Sequence, residues 1–341
     1  MIDLSTRYLG LPLASPLVAS ASPLTKELDG FRRLEDGGAS AIVMHSLYEE
    51  EIVAEQEAFD HYLGYGTESF AEALDYIPIP RTTPGPERYL ELLRAAKRAV
   101  DVPIIASLNG DTPGGWTHYA AMLEEAGADA LELNVFFLPT EPDVSGAQIE
   151  ARTVEILRDV REMVRIPVSV KLSPFWSSTL HMASRLAEAG ADGLVLFNRF
   201  YQPDVDLEAF EVLPRLALST PEEARLAVRW IGLLHGQVPV DLAHTSGVHD
   251  AEGALKGIAA GATVAMMTSE ILRAGPQRFG EIERAMRLWL AEHEYESIGQ
   301  LRGAMSRRGT RDEEAFTRAN YKATLDAWRP EPTGADPLGK R

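Results

Sequence analysis

The chain has 341 residues, 45% hydrophobic and 25% charged, as is typical of a globular protein. Its 51 acidic residues outnumber the 33 basic ones, and the net charge of −18 argues against nucleic acid or an anionic membrane as a partner. The absence of cysteine excludes disulfides, thiolate metal ligands and a cysteine base. No apolar run approaches the ~20 residues of a membrane span, and the N-terminus lacks a secretory signal, so we predict a cytoplasmic protein.

The pattern of apolar runs predicts a hairpin followed by eight buried strands. Two short strands, Asp3–Tyr8 and Leu11–Ala14, come first and could close the bottom of a barrel. Two patterns then alternate: a Gly-Ala turn before an apolar run, and a proline that opens a run, where its missing N–H does little harm. Such repeats indicate successive βα units. The eight segments are Pro16–Ser22 and residues 37–46, 102–109, 126–134, 166–173, 189–198, 238–245 and 260–269.

Helical segments separate these strands. They are Glu27–Asp36, Glu87–Ala99, Trp116–Glu125, Gln148–Val164, Ser178–Glu188, Pro221–Leu234, Asp250–Ala259 and Pro276–Glu292. The alternation permits either a (β/α)8 TIM barrel or a doubly wound open sheet, both of the α/β class. The count of eight strands favours the barrel. Two strand ends late in the chain also favour it, because they resemble a phosphate-binding site and such barrels bind phosphate in the loops after their last two strands.

We predict a single barrel domain over residues 1–292, a C-terminal helical extension at 293–330 and a disordered tail at 331–341. The connection at 46–86 is far longer than a usual βα loop, and its many aromatic residues suggest a lid over the barrel mouth. The alternatives for this segment are a contact between subunits of an oligomer or a surface insertion without a function of its own. A homodimer is the default expectation for the fold.

In barrels of this kind the carboxyl ends of the strands form the site. Two late strand ends, Thr245-Ser246-Gly247 and Thr268-Ser269, combine glycine and small hydroxyl residues next to helical segments, which predicts a phosphate cradle. The other strand ends supply Ala19, Ser20, Ala21, His45, Asn109, Asn134, Lys171 and Asn198.

Four of these residues have side chains whose chemistry limits the kinds of reaction or ligand that the site could serve. Lys171 ends an apolar strand and could be a fixed positive charge on a cofactor ring or a Schiff-base nucleophile, with a snorkelling surface lysine as the alternative. Asn134 and Asn198 would be costly to bury unpaired, so they predict hydrogen bonds to a ligand or within the core. His45 is either an acid–base group or a structural histidine. We predict no metal site, and no Gly-x-Ser-x-Gly elbow indicates a serine hydrolase.

The order of the motifs, including GADALELN, IPVSVKLSP and GATVAMMTS, resembles the dihydroorotate dehydrogenase family over residues 2–290, most of all its soluble class 1 type. The resemblance implies an FMN-binding barrel, an oxidoreductase of pyrimidine metabolism that acts on a small molecule. It places Lys171 at the electron-rich edge of the isoalloxazine and Asn198 against the substrate. Its other assignments are Ala19, Ser20 and Ala21 along the flavin, Asn109 and Asn134 at the ring and substrate pocket, and Ser246, Gly247, Thr268 and Ser269 at the phosphate.

The chain departs from the family where the family keeps its catalytic base. A cysteine or serine is expected three residues after Asn134, where this chain has Phe137, and the family's lysine after the second strand is His45. His45 and Thr140 are the candidate proton donors. We predict hydride transfer between FMN and a small anionic or heterocyclic substrate, with dihydroorotate or orotate as candidates. The alternatives are a Schiff-base lyase or aldolase using Lys171, and an FMN-binding protein without turnover.

Overall fold

The structure is a computed structural model that describes residues 2–54, 85–112, 114, 117–199, 203–213, 216–310, 316, 318–327 and 329. Of the predicted lid-like insertion, residues 46–48 continue a strand and residues 49–54 are helical. The remainder of the predicted lid up to residue 84 and the predicted tail at 331–341 lie outside the described residues.

Eight parallel strands close into a barrel, which confirms the predicted (β/α)8 fold and rules out the open sheet. The barrel runs β3-β4-β5-β6-β7-β8-β11-β12 and closes through pairing of β12 with β3. Each barrel strand falls within or overlaps one of the eight predicted segments. In the described residues the strands are β1 (Thr6–Tyr8), β2 (Leu11–Leu13), β3 (Leu17–Ala19), β4 (Ile42–Tyr48), β5 (Ile104–Asn109), β6 (Ala130–Asn134), β7 (Val168–Leu172), β8 (Gly193–Leu196), β9 (Asp204–Asp206), β10 (Glu211–Leu213), β11 (Asp241–His244) and β12 (Val264–Met267).

Helices cover the outside of the barrel, and most begin and end within two residues of the predicted bounds. The described helices are α1 (Leu28–Asp36), α2 (Pro86–Ala99), α3 (His118–Glu125), α4 (Gly146–Met163), α5 (Thr179–Glu188), α6 (Ala224–Leu234), α7 (Ala251–Ala260), α8 (Ser269–Ala274), α9 (Arg278–Glu292), α10 (Ile298–Leu301) and α11 (Arg318–Ala327). The sequence did not predict α8 or the antiparallel pair β9–β10. The sequence of β9–β10 contains no continuous apolar run, and Phe210 in the turn between the two strands is 91% exposed. Because this hairpin is not buried, its sequence lacks the apolar pattern from which the other strands were predicted.

The N-terminal hairpin closes the bottom of the barrel, as the sequence predicts. Tyr8, Leu9 and Leu13 pack with inward-facing residues of the strands, including Val43 and Ile105, in one buried cluster. The backbone N–H of Leu9 also donates to the Asp241 carboxylate at 2.9 Å. The floor of the barrel is therefore apolar and filled, which leaves the carboxyl ends of the strands as the open side.

The C-terminal extension is attached to the first residues of the chain. The Asp3 N–H donates to the Glu296 carbonyl at 2.9 Å, and the Ile298 N–H donates back to the Asp3 carbonyl at 2.8 Å. Ile298 and Leu301 are buried in the same cluster as the barrel's outer layer. The division at residue 292 into a barrel and an extension stays a prediction.

His244 at the end of β11 is a buried histidine that should make stability depend on pH. Its ring is fully buried beside Gly257 of α7, and neither ring nitrogen has a partner among the described residues. Burial lowers the pKa of His244 to about 4. Because an unfolded histidine titrates near 6.5, the unfolded state binds more protons below that pH. The stability linked to neutral His244 is therefore complete above about pH 6.5 and is lost as the pH falls toward 4.

We expect the free energy of unfolding to fall between pH 7 and pH 4 by roughly 3 kcal/mol more in the wild type than in His244→Met. Urea denaturation at each pH measures this difference. His181→Gln, at an exposed position on α5, is the matched control and should keep the wild-type pH dependence. Equal pH dependence in the wild type and His244→Met would contradict the assignment.

Candidate active site

The open end of the barrel holds a cavity that gathers most of the residues predicted to bind a cofactor. We call it the central cavity. Eight predicted residues line it: Ser20, Ala21, Lys171, Asn198, Ser246, Gly247, Thr268 and Ser269. Asn109 and Asn134 line a neighbouring side chamber, which shares Asn198 and Arg199 with the central cavity. Ala19 is instead buried in the layer between the barrel and its helices.

The loop after β11 has a backbone suited to an anion. Ser246 (φ 72°) and Gly247 (φ 74°) are consecutive left-handed residues, and a non-glycine residue in this region is strained. Successive N–H groups in such a turn form anion-binding concavities. The Ser246 hydroxyl donates to the Phe197 carbonyl at 3.1 Å, which anchors the loop to the end of β8.

The loop after β12 lines the same cavity. The Thr268 hydroxyl donates to the Ala21 carbonyl at 3.3 Å, and the Ser269 hydroxyl accepts from the Ser219 N–H at 2.9 Å. The two predicted phosphate loops therefore face one cavity, with hydroxyl groups that are positioned by backbone contacts.

A buried chain of side chains supports Ser219. Its hydroxyl lies 3.1 Å from His249 Nε2, and His249 Nδ1 lies 3.1 Å from Glu270 Oε2. Arg278 Nε donates in turn to Glu270 Oε1 at 2.9 Å. Ser219 and His249 are both buried, so this network fixes the side of the cavity next to Ser269. No pattern in the sequence indicates it, because its members come from four separate segments.

Lys171 lies inside the barrel mouth and is paired with a carboxylate. Its Nζ is 3.2 Å from Glu132 Oε1, and the side chains are 11% and 1% exposed, respectively. Glu132 lies two residues before Asn134 in β6, so both side chains face the barrel interior. Glu132 Oε2 has no partner among the described residues. The two side chains form an ion pair that holds the positive charge of Lys171 at the barrel mouth.

Glu132 was missing from the predicted site, although the sequence contains a signal for it. A charged residue in the middle of the buried run ALELN must have a partner, because an unpaired buried charge is very costly. The partner itself could not be read from the sequence, since Lys171 is 39 residues away.

Asn134 and Asn198 form a pair at the boundary between the two cavities. Asn198 Nδ2 donates to Asn134 Oδ1 at 2.9 Å. Asn134 is 8% exposed, and its Nδ2 group has no partner among the described residues. One donor of this amide pair thus remains available to a ligand in the side chamber.

His45 does not line either of these cavities. Val43 pairs with Ile105 and Ser46 pairs with Ser107, so β4 advances three residues where β5 advances two. The strand β4 therefore contains one extra residue at this point, as in a β-bulge. The Ser46 hydroxyl lies 2.9 Å from that of Ser107, whereas His45 Nδ1 contacts Thr25 at 3.3 Å. The ring of His45 packs against Tyr89, 5.0 Å between centroids. Burial lowers its pKa to about 4, so His45 is neutral at neutral pH.

The segment after β6 separates two phenylalanines. Phe136 lines the side chamber. Phe137, which the resemblance predicts at the position of the family's base, lines an outer cavity next to α4, and the Arg152 guanidinium lies 4.8 Å from the centre of its ring. Thr140 is exposed on the same loop. The role of His45 and Thr140 as proton donors stays a prediction, and neither lines the cavities that contain Lys171 and the asparagines.

In the part of the chain that the structure describes, no group of three or more His, Cys, Asp or Glu side chains could hold a metal ion. A search of the same residues for a helix long and apolar enough to cross a membrane found none.

Comparison with known proteins connects this geometry to one family. The family model for dihydroorotate dehydrogenase matches residues 82–290, which is more than half of the chain. The catalytic subunit of dihydroorotate dehydrogenase B (NAD(+)) from Thermoplasma volcanium is 26% identical, over 90% of this chain and 100% of that protein. The subunit of the same name from Desulforudis audaxviator is 31% identical, over 66% of this chain and 75% of that protein. The chain is dihydroorotate dehydrogenase-like and belongs to the dihydroorotate dehydrogenase family.

Proposed function

We propose that this family member is an FMN-dependent oxidoreductase that transfers hydride between the flavin and a small heterocyclic substrate. The observation that supports the proposal best is the central cavity itself. It joins the cationic Lys171 to the two loops at Ser246-Gly247 and Thr268-Ser269. Flavin mononucleotide has two parts that such a cavity could bind. Its ring is electron-poor and would lie near the cation, and its phosphate would lie at the loops.

The residues present fit FMN in three respects. The left-handed turn at Ser246 and Gly247 provides backbone donors for a phosphate. Lys171 is a buried cation that the ring of a flavin can use. Ser20, Thr268 and Ser269, which carry hydroxyl groups, line the same cavity.

The residues of this chain would hold and orient the reactants. FMN supplies the hydride-transfer chemistry when it is bound. Lys171, held by Glu132, places a positive charge where the ring gains electron density. The Asn134–Asn198 pair offers an amide donor to a substrate carbonyl or ring nitrogen. The apolar floor formed by the N-terminal hairpin excludes water from below the site.

The Schiff-base alternative is less well supported by the geometry. A lysine must lose its proton before it can attack a carbonyl group. Lys171 is instead engaged in an ion pair with the Glu132 carboxylate at 3.2 Å. No comparable contact among the described residues favours a lyase elsewhere in the central cavity.

The purified protein tests the proposal directly. We expect it to be yellow and to release one FMN per chain on denaturation, and the bound flavin to be reduced by dithionite and reoxidised. A colourless protein that takes up no FMN on reconstitution would contradict the proposed function. A flavin that is bound but is neither reduced nor oxidised by any small-molecule substrate would favour the FMN-binding alternative without turnover.

A further inference from the structure

The side chamber has an acidic wall. Glu49, Glu50 and Asp111 line it together with the amides of Asn109, Asn134 and Asn198, and with Tyr48 and Phe136. It opens beside Asn198 and Arg199, which it shares with the central cavity. A substrate that reaches a flavin from this side would therefore pass or contact these carboxylates.

Hydrogen bonds hold the acidic wall in place. Glu49 Oε2 accepts from the Asp111 N–H at 2.9 Å and from the Thr112 N–H at 3.3 Å. This ties the loop after β5 to the helical segment at 49–54. Burial raises the pKa of Asp111, and the neighbouring Glu49 and Glu50 raise it further, whereas Arg152 lowers it. Glu49 therefore acts on Asp111 more strongly than Arg152 does, and Arg152 more strongly than Glu50.

The cations that line the two cavities each have a carboxylate of their own, whereas Arg152, whose charge acts on Asp111, lines neither cavity. Among the described residues that line the two cavities, the cationic side chains are Lys171 and Arg199. Lys171 is paired with Glu132. Arg199 makes two contacts with Glu223, at 3.0 and 3.3 Å, and donates to the Ala217 carbonyl at 2.6 Å. Each of these cations is therefore paired with a carboxylate outside the acidic wall.

The sequence of the insertion supplies no excess of positive charge. Residues 55–84 contain six acidic residues and a single arginine, Arg81. His45, at the position of the family's lysine, packs against Thr25 and Tyr89 rather than lining the chamber. A ligand with a carboxylate group would be repelled by the carboxylates of the acidic wall, because the cations that line the cavities are paired elsewhere. This repulsion would lower the affinity of the chamber for such a ligand.

We propose that the side chamber selects an uncharged or amine-bearing heterocycle and discriminates against a carboxylate such as dihydroorotate. Glu50 and Asp111 determine this specificity, and the Nδ2 group of Asn134 donates to a carbonyl of the ring. The inference rests on the proposed function, because it assigns the chamber as the substrate side of an FMN site.

Three uracils that differ at one substituent test the proposal. Orotate carries a 6-carboxylate, 6-methyluracil is neutral and 6-(aminomethyl)uracil is an amine. Calorimetric titration of the FMN-containing protein at low salt should give dissociation constants for the methyl and aminomethyl compounds at least about tenfold lower than for orotate. High salt should reduce the difference, because screening weakens the repulsion.

Variants locate the effect. Glu50→Gln and Asp111→Asn should each improve orotate binding several-fold relative to 6-methyluracil. Glu252→Gln, an exposed position on α7, should not. Unchanged FMN content shows that each variant is folded, and Glu50→Gln alone tests the proposal if Asp111→Asn disturbs its loop. Orotate binding as tight as the neutral compound, a preference that both variants leave unchanged, or no binding of any of the three overturns the inference. A protein without FMN contradicts the proposed function instead.

Discussion

Replacing Lys171 by methionine is expected to lower both the stability of the protein and the reactivity of the proposed flavin. Glu132 is 1% exposed and would lose its counter-charge at 3.2 Å. Breaking a buried ion pair by removal of one partner costs about 3–5 kcal/mol. The flavin should also become harder to reduce, because a positive charge near the ring favours its reduced form. Urea denaturation and the midpoint potential of bound FMN measure the two effects.

A double variant separates these two consequences. Glu132→Gln with Lys171→Met leaves no buried charge, so it should recover most of the lost free energy of unfolding. It should not recover the midpoint potential, because the positive charge is still absent. If the double variant is no more stable than Lys171→Met, the ion pair is not the cause of the loss. An unchanged potential in both variants would mean that Lys171 does not act on the ring.

Replacing Gly247 by alanine is expected to abolish retention of FMN. Gly247 has φ 74°, and a Cβ atom there would lie 2.3 Å from the backbone nitrogen of Ala224 at the start of α6. The left-handed conformation alone costs on the order of 1–3 kcal/mol for a residue with a Cβ atom. Because the clash is with backbone, the loop after β11 must move, and with it the turn that faces the central cavity. FMN content after purification measures the effect.

Gly253→Ala is the matched control for this prediction. Gly253 lies in α7, further along the chain, and a Cβ atom there would lie 3.4 Å from its nearest neighbour, Asp250 Oδ1. Alanine in a helix is favoured over glycine by roughly 0.5–1 kcal/mol, so this variant should keep both FMN and stability. If Gly247→Ala retains FMN as well as Gly253→Ala does, the loop after β11 is not the phosphate site.

The site also shows how local irregularity defeats a prediction made from spacing. The sequence placed His45 at a strand end, where barrels hold their functional groups, but β4 continues to Tyr48 and His45 lies within it. Regular alternation would give His45 the same direction as Val43. The extra residue in β4 instead brings Ser46 to Ser107 and His45 to Thr25. The cavities that Phe136 and Phe137 line could not be predicted either. Both residues lie in a loop, where side chains do not alternate in direction as they do in a strand.

The sequence by itself determined the barrel, the order of its strands and most of the residues at its mouth. Those features follow from local periodicity: apolar runs, glycine turns and the polar residue that ends each strand. The tertiary structure alone decided the partners, because contacts such as Glu132–Lys171 and Ser219–His249 join residues 39 and 30 positions apart. It also decided the charge of the side chamber, since Glu50 and Asp111 become neighbours only when β4 and β5 pair. The reason is that residues distant in sequence meet only through the pairing of neighbouring strands, and the contacts of individual side chains across that pairing have no local signal.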